Sequence, residues 1–444
     1  MSPTARHLEG FELPIAHTCT SCGLIQKLPD TAGRVRGKWR CTRCGFTMLH
    51  RDTAGPWEAV FWVLLMLGLF TVVVQDMFMS FTFAGGTNRV AVSDGPLEVI
   101  RLGSTFVGVS VLFCALIAPV LWGLGMLYVL AGLASGARGP GTAATLRVMQ
   151  KLRPWVMLEV FILGVFVTHG KLAHDGAIAF GRGFYVYLAA LGVWIAIGRR
   201  VKLSRLWEEL QPAGRVTDTC RVDHAPGHTA ACREPHPDGE GAALIGCQTC
   251  GLVQRVPHVG ASCDLSCTRC HAALHECEHA ALRRCVVLLV IAMLLLIPAN
   301  FVPIMRIAKL GPPEPATVWE GIKLLYHEGS PGLAALVFLA SLCVPILKVL
   351  IIAALVLWRH PRRCATARRM AKVHRFIATI GRWSMVDMFV VALLIGLVQL
   401  GSLASVDPKP GAIAFLAVVL ITIIAAEELN PKLFWTRTET HRNE

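Results

Sequence analysis

Charge is scarce in this chain of 444 residues: Asp, Glu, Lys and Arg make up 16%, against 54% hydrophobic residues. Mean hydropathy is +0.55. A soluble enzyme of this length needs a larger charged surface, so that class is set aside. The motifs GxxxxGKS/T, HExxH and GxSxG are all missing, which removes the visible machinery of ATP hydrolysis and of the commonest hydrolases. The chain is therefore not expected to be an enzyme. Also missing is the apolar stretch of a cleavable leader: the opening MSPTARHLEGFELP is polar, so the N-terminus is expected to stay in the cytoplasm.

What is present is a series of long apolar runs. About 20 apolar residues cross a bilayer, and runs of that kind lie at 57–78, 104–132, 155–172, 177–197, 286–305, 332–358, 384–403 and 412–426. They predict a polytopic all-α membrane protein with eight spans, four per half. Acidic residues are outnumbered, 29 against 43 Lys and Arg, for a net charge of +14. The excess gathers in the stretches 134–153 and 359–382, read as loops, and in the connector from Gly198, whereas 80–100, 173–181 and 404–411 carry little. By the positive-inside rule both termini and the connector are cytoplasmic. The basic excess thus belongs against anionic headgroups, and nucleic acid is not an expected partner.

The halves are copies. CTSCGLIQKLP from Cys19 returns as CQTCGLVQRVP from Cys247, IAPVL at 117–121 lies under CVPIL at 343–347, and RPWVMLEVF at 153–161 lies under GRWSMVDMF at 381–389. GAIAF occurs at 176–180 and again at 411–415. Each copy has an even number of spans, so both enter the membrane in the same sense, as a parallel tandem repeat. The expected division is a first zinc-ribbon module (1–52), a four-helix unit (53–200), a basic, Pro/His-rich linker (201–240), a second module (241–280), a second four-helix unit (281–435) and a cytoplasmic tail (436–444).

Sixteen cysteines invite a disulfide reading, but eight form CxxC pairs in segments expected to face a reducing cytosol. Cys19, Cys22, Cys41 and Cys44 make one set with an 18-residue spacer; Cys247, Cys250, Cys267 and Cys270 make the other with 16. Two such pairs suit a tetrahedral tetrathiolate of the zinc-ribbon or rubredoxin-like kind, so two zinc ions are expected, with iron as the alternative. A closed four-sulfur site has no open position, which makes its role structural. Gly23, Gly45 and Gly251 follow their pairs, where a knuckle favours positive φ; His271 takes the fourth such place. In 219–239, Cys220, His224, His228, Cys232 and His236 recur every four residues, but Pro226, Gly227, Pro235 and Pro237 oppose a helix, and the stretch is read as a linker.

Ionisable groups in a membrane are costly and point to function. Lys348 and Asp387 lie at similar depth in neighbouring spans and are expected to pair, with Ser384 on the face of Asp387 and Ser341 one span over. Glu159 is the first-half counterpart of Asp387, while Trp122 replaces Lys348. Lys171 is read as snorkelling from the outer end of its span. In IPANFVPIM, Pro298 and Pro303 bracket Asn300, predicting a broken helix with exposed carbonyls.

Together CxxCG, CTRC, PANFVPIM, VPILKVL, GRWSMVDMF and GAIAF…NPKLFW resemble the paraquat-inducible protein A family, most clearly over 247–435. The resemblance implies a bacterial inner-membrane subunit of a lipid-transport system, passing phospholipid to a periplasm-spanning tunnel of mammalian cell entry domains. It carries the eight cysteines over as metal ligands and Asn300, Lys348, Ser384 and Asp387 as a polar membrane site. The competing reading is a membrane redox or stress-response protein using its cysteine-bound metals; it lacks a convincing pair of intramembrane histidines for haem.

Overall fold

The computed structural model describes residues 16–27, 38–50, 55–83, 85–136, 139, 141–172, 176–210, 221–222, 243–256, 265–274, 278–309, 314–327, 329, 331–358, 361, 364–398 and 404–435. The Cys/His-rich stretch at 219–239, apart from Arg221 and Val222, and the tail at 436–444 lie outside the described residues.

In the first repeat, β1 (Ala16–Thr18) pairs with β2 (Ile25–Lys27) and β3 (Lys38–Arg40) with β4 (Thr47–His50), two short hairpins that carry the first cysteines. Helix α1 (Pro56–Gln75) runs away from them into β5 (Met79–Phe83) and β6 (Gly86–Val90). After α2 (Asp94–Arg101), α3 (Thr105–Leu112) passes through a π-helical turn at Phe113–Ile117 into α4 (Ala118–Ser135). Then α5 (Thr142–Leu152) continues through a 3-10 turn into α6 (Leu158–Leu172), β7 (Ala177–Phe180) joins β5, and α7 (Arg182–Arg200) returns to α8 (Leu203–Leu210).

The second repeat follows the same order. Strands β8 (Arg221–Val222), β9 (Ala243–Gly246), β10 (Val253–Val256) and β11 (Leu265–Ser266) form its module, β9 with β10 and β8 with β11. Next come α9 (Glu278–Phe301), β12 (Met305–Lys309), β13 (Glu314–Ala316), α10 (Val318–His327), α11 (Pro331–Val337), a π-helical turn at Phe338–Cys343 and α12 (Val344–Leu357). Helix α13 (Cys364–Ile380) leads into α14 (Val386–Val398), β14 (Ala404–Pro408) pairs with β12, and α15 (Pro410–Glu428) closes the repeat. Each repeat thus has one three-stranded antiparallel sheet, ordered β6-β5-β7 and β13-β12-β14, at the end away from the cysteines. Both π turns precede a proline, Pro119 or Pro345; without its N–H the i→i−4 ladder cannot close there, and the bonding shifts by one residue.

Among the described residues, seven helical segments are long and apolar enough to cross a membrane, and α7 with α8, bent by 54°, makes up to eight. These coincide with the eight apolar runs. The basic stretches at 134–153 and 359–382, expected as loops, are instead largely helical: α5 and α13 extend the third and seventh spans into rods of Thr142–Leu172 and Cys364–Val398. Their Arg and Lys residues hide a buried stripe, Leu146 and Met149 in one and Ala367, Met370, Ala371, His374 and Ile377 in the other. GAIAF supplies a further correction. At 177–180 it is strand β7, but at 411–415 it lies in the first turns of α15. The two occurrences are not in register, and tertiary context decides the conformation.

Helix α14 is the axis of the molecule. Every residue from Met388 to Val398 is buried, as expected of a helix that is apolar all round. It crosses α6 where Gly164 admits Phe389, whose ring meets Phe161 edge-on at 5.4 Å. It also receives α2: a Cβ on Gly95 would come within 2.5 Å of the Ala392 carbonyl oxygen, and Nδ2 of Asn88 donates to the Gly396 carbonyl at 2.8 Å. By contrast α1, α9 and α12 present Trp57, Phe61, Leu294, Ile297, Leu347 and Leu350 outward, a lipid-facing belt.

Candidate functional site

Each cysteine set folds into two matched turns. Cys19 N–H donates to Leu24, Gly23 N–H to the Cys19 carbonyl, and the same pattern recurs at Cys41, Cys247 and Cys267. The turns need a left-handed residue in fourth place, and Gly23, Gly45 and Gly251 have φ of 73°, 72° and 78°. His271 adopts the same conformation at 54°, the strained member of the four. All eight sulfurs are buried, and within each set they lie within 4.8 Å of one another. The nearest pairs, Cys19–Cys44 at 3.7 Å, Cys22–Cys41 at 3.6 Å, Cys247–Cys270 at 3.5 Å and Cys250–Cys267 at 3.6 Å, are too far apart for disulfides. They fit the edge of a tetrahedron with metal–sulfur bonds of about 2.3 Å, which is about 3.8 Å. Each set could therefore hold a metal ion. Gln254 Nε2 donates to Cys267 Sγ at 3.0 Å, an outer partner that the cysteine spacing does not reveal.

The modules do not simply cap their own repeats. They touch each other, with Thr18 N–H donating to the Gly251 carbonyl at 3.0 Å and the Thr18 side chain filling the space over Gly246. Each then docks on the opposite half. From α13 of the second repeat, Arg375 donates to Ser21 Oγ at 3.1 Å and the Cys44 carbonyl at 3.2 Å; from α5 of the first, Arg147 donates to the His271 carbonyl at 2.8 Å. Arg43 of the first module stacks on Trp435 of the second repeat at 4.6 Å, and Arg269 of the second module lies over Trp207 of the first repeat at 6.0 Å. Contacts near the centre also reach each module's own repeat, His17 to Glu208 at 3.3 Å and Asn430 to Gln248 at 2.7 Å. Burial and the Arg269 guanidinium push the His17 pKa down to about 4, so it sits there neutral at pH 7. The signal for the exchange was in the sequence: CTRC carries its Arg in both modules, and Trp207 and Trp435 occupy equivalent places in the two halves.

In the membrane, the expected Lys348–Asp387 ion pair is not formed. Lys348, 1% exposed, points its Nζ at the Gly381 carbonyl, 3.5 Å away, and the carboxylate acting on it is Glu427. The cation acting on Asp387 is Lys171, from the first repeat, and its hydroxyl neighbour is Ser341 of the second π turn. Similar depth does not make the pair, because Lys348 turns to the Gly381 carbonyl at the end of α13. Oδ2 of Asp387 and the hydroxyls of Ser341 and Ser384 are buried with no hydrogen-bond partner within the protein. Glu159 stands on α6, its Oε2 likewise sealed, with Arg153 and the buried Tyr187 within its field. Trp122, in the place of Lys348, packs edge-on against Trp194 at 4.8 Å.

Asn300 is separate from this group. Its Nδ2 donates to the Leu296 carbonyl at 2.7 Å within its own helix. The helix break expected around Pro298 and Pro303 is also placed differently: α9 continues through Pro298 to Phe301, and Pro303 lies in the turn beyond. The carbonyls of Pro298, Pro303 and Ile304 are taken by the N–H groups of Val302, Gly411 and Lys409, so they are not exposed.

Fold and site together define a duplicated, helical membrane protein with a four-cysteine knuckle on each half and buried polar groups, Ser341, Lys348 and Ser384, in the second. The chain belongs to the paraquat-inducible protein A family, whose model matches residues 58–211 and 282–439. It is 29% identical to the intermembrane transport protein PqiA of Escherichia coli strain K12, over 96% of this chain and 97% of that one. It is 25% identical to the lipophilic envelope-spanning tunnel protein A of the same strain, over 97% and 94%. A probable intermembrane transport protein of Haemophilus influenzae shares 23% identity over 94% and 95%. No solved structure matches the chain.

Proposed function

We propose that this protein is a multi-pass subunit of the bacterial inner membrane, with both termini cytoplasmic, that passes phospholipid between that membrane and a periplasm-spanning tunnel of mammalian cell entry domains. The observation that carries the reading is similarity over 96% of the chain to a protein named for intermembrane transport. It acts without catalysis and serves the integrity of the envelope. The division of the chain is the one given above, with modules at 1–52 and 241–280 and four-helix units at 53–200 and 281–435. Zinc, one ion per module, suits four thiolates with no open position and gives the knuckles a structural role.

The working polar site is Asp387 with Lys171, Ser341 and Ser384, with Lys348 and Glu159 nearby; Asn300, expected in this site, is bonded within its own helix and stands apart from it. What favours this choice is chemistry. Buried ionisable and hydroxyl groups in an apolar bundle are expensive to keep, and here Oδ2 of Asp387 and the hydroxyls of Ser341 and Ser384 are sealed without a partner in the protein. Replacing Asp387 by Asn is the test. Cells carrying Asp387→Asn at normal protein level should become sensitive to detergent and should fail to move labelled phospholipid to the tunnel; a wild-type barrier at that level would refute the assignment.

A further inference from the structure

The two repeats differ at the end away from the cysteines. In the first, α2 lies hard against α3: a Cβ on Gly108 would come within 2.5 Å of both the Pro96 carbonyl oxygen and Ile100 Cγ1. The register that places IAPVL under CVPIL puts Ala334 where Gly108 stands. Between α10 and α11 lies an open groove of about 340 Å³, with the Ala334 side chain in its wall. Its walls are Ile322, Ala334, Ala335 and Phe338, and Trp319, Lys323 and His327 also line it. This is within the size range of small-ligand sites.

Three further observations say what fills it. Trp319 and Tyr326 are 50% and 65% exposed on a chain whose neighbouring helices face lipid, which is how aromatic residues sit at a membrane interface. Among the described residues no carboxylate pairs with Lys323, whose ammonium instead rests over the Trp319 ring at 5.7 Å. Finally, Phe338 of the wall and Ser341 beside Asp387 share one π-helical turn. An apolar hole with a cationic rim at the interface matches an amphiphile with an acidic head.

We infer that the cavity between α10 and α11 holds an acyl chain of an acidic phospholipid, with its phosphate at Lys323 and His327. It is an entry site in the second repeat, and the shared π turn links its filling to Ser341 and Asp387. This inference rests on the transport reading, and it names where lipid leaves the bilayer.

The test uses the full chain in nanodiscs containing phosphatidylglycerol or phosphatidylcholine with a photoreactive acyl tail, followed by peptide mass spectrometry. Residues 318–338 should be labelled above the lipid-facing surfaces of α9 and α12, and phosphatidylglycerol should exceed phosphatidylcholine by about fivefold, the effect of one interfacial lysine. Lys323→Glu should abolish that preference, and Ala335→Phe should remove the excess labelling with both lipids, at unchanged elution volume and metal content. Labelling spread evenly over outward helices, or insensitive to Ala335→Phe, overturns the cavity; equal labelling by the two lipids overturns the acidic head. If the cavity is unlabelled while Asp387→Asn still blocks lipid transfer, only the entry site falls. If the cavity is labelled but Asp387→Asn transfers normally, the polar-site assignment falls instead.

Discussion

At the scale of single residues, the coupling of Lys171 to Asp387 is the part of the proposed site with most at stake. Removing one partner strands the other charge in an apolar bundle, whereas removing both leaves no charge to compensate. Lys171→Met and Asp387→Asn should each lower the melting temperature in detergent, and the double variant should recover most of the loss, the non-additivity being read from a double-mutant cycle. If the double variant is as unstable as the sum, the two groups do not interact. The stacked arginines are milder. Arg43→Ala and Arg269→Ala should each cost about 1 kcal/mol, measured by thermal unfolding, with an additional loss for Arg269, which also holds the Cys250 carbonyl. All eight cysteines of the two clusters could be read from the sequence because CxxC spacing is a local constraint. The crossing of α6 and α14 could not, because it depends on Gly164 admitting Phe389, and a glycine in an apolar run carries no mark of what it will touch.

At the scale of elements, the amphipathic helices α5 and α13 are what the sequence concealed. Their positive charge looked like loop composition, while the buried face of each is small and interrupted by arginines. Those arginines are the docking contacts. Metal removal should therefore act across the repeats. Cys247→Ser with Cys250→Ser should speed hydrogen exchange in α5 rather than in α13, and Cys19→Ser with Cys22→Ser should do the reverse. Faster exchange confined to the mutated module's own repeat would contradict the crossed docking. Acid should release the metal, since the thiolates must lose their protons to bind it, and the same two helices should loosen as it leaves. The apolar parts of the spans were legible, as length and apolarity fix them, whereas the sheets depend on strand partners distant in the chain, and the π turns were missed although Pro119 and Pro345 lie within the runs being read.

At the scale of the whole molecule, the parallel duplication was visible from matched motifs, yet the asymmetry between the halves was not. It follows from single substitutions, Ala334 for Gly108 and Trp122 for Lys348, whose consequences appear only once helices pack. The crossed docking makes a prediction at this level. If a protease site is introduced within 223–242 and the chain is cut there, the two fragments should co-elute in detergent, held by the modules and by α2 and α6 against α14. Metal chelation should then weaken the pair, measured as a fall in the share that co-elutes; fragments that separate before chelation would show the interlock to be weak.

The bond between Arg375 and the Cys44 carbonyl joins residues 331 positions apart. Read in the order of synthesis, the first module leaves the ribosome long before its platform on α13 exists, while the second finds α5 already made. A chain stopped anywhere before α13 therefore displays a module with no seat, and a completed chain hides it. Docking of the first module is thus a record that translation and insertion have reached the final spans, available to any quality-control factor that senses an unseated knuckle.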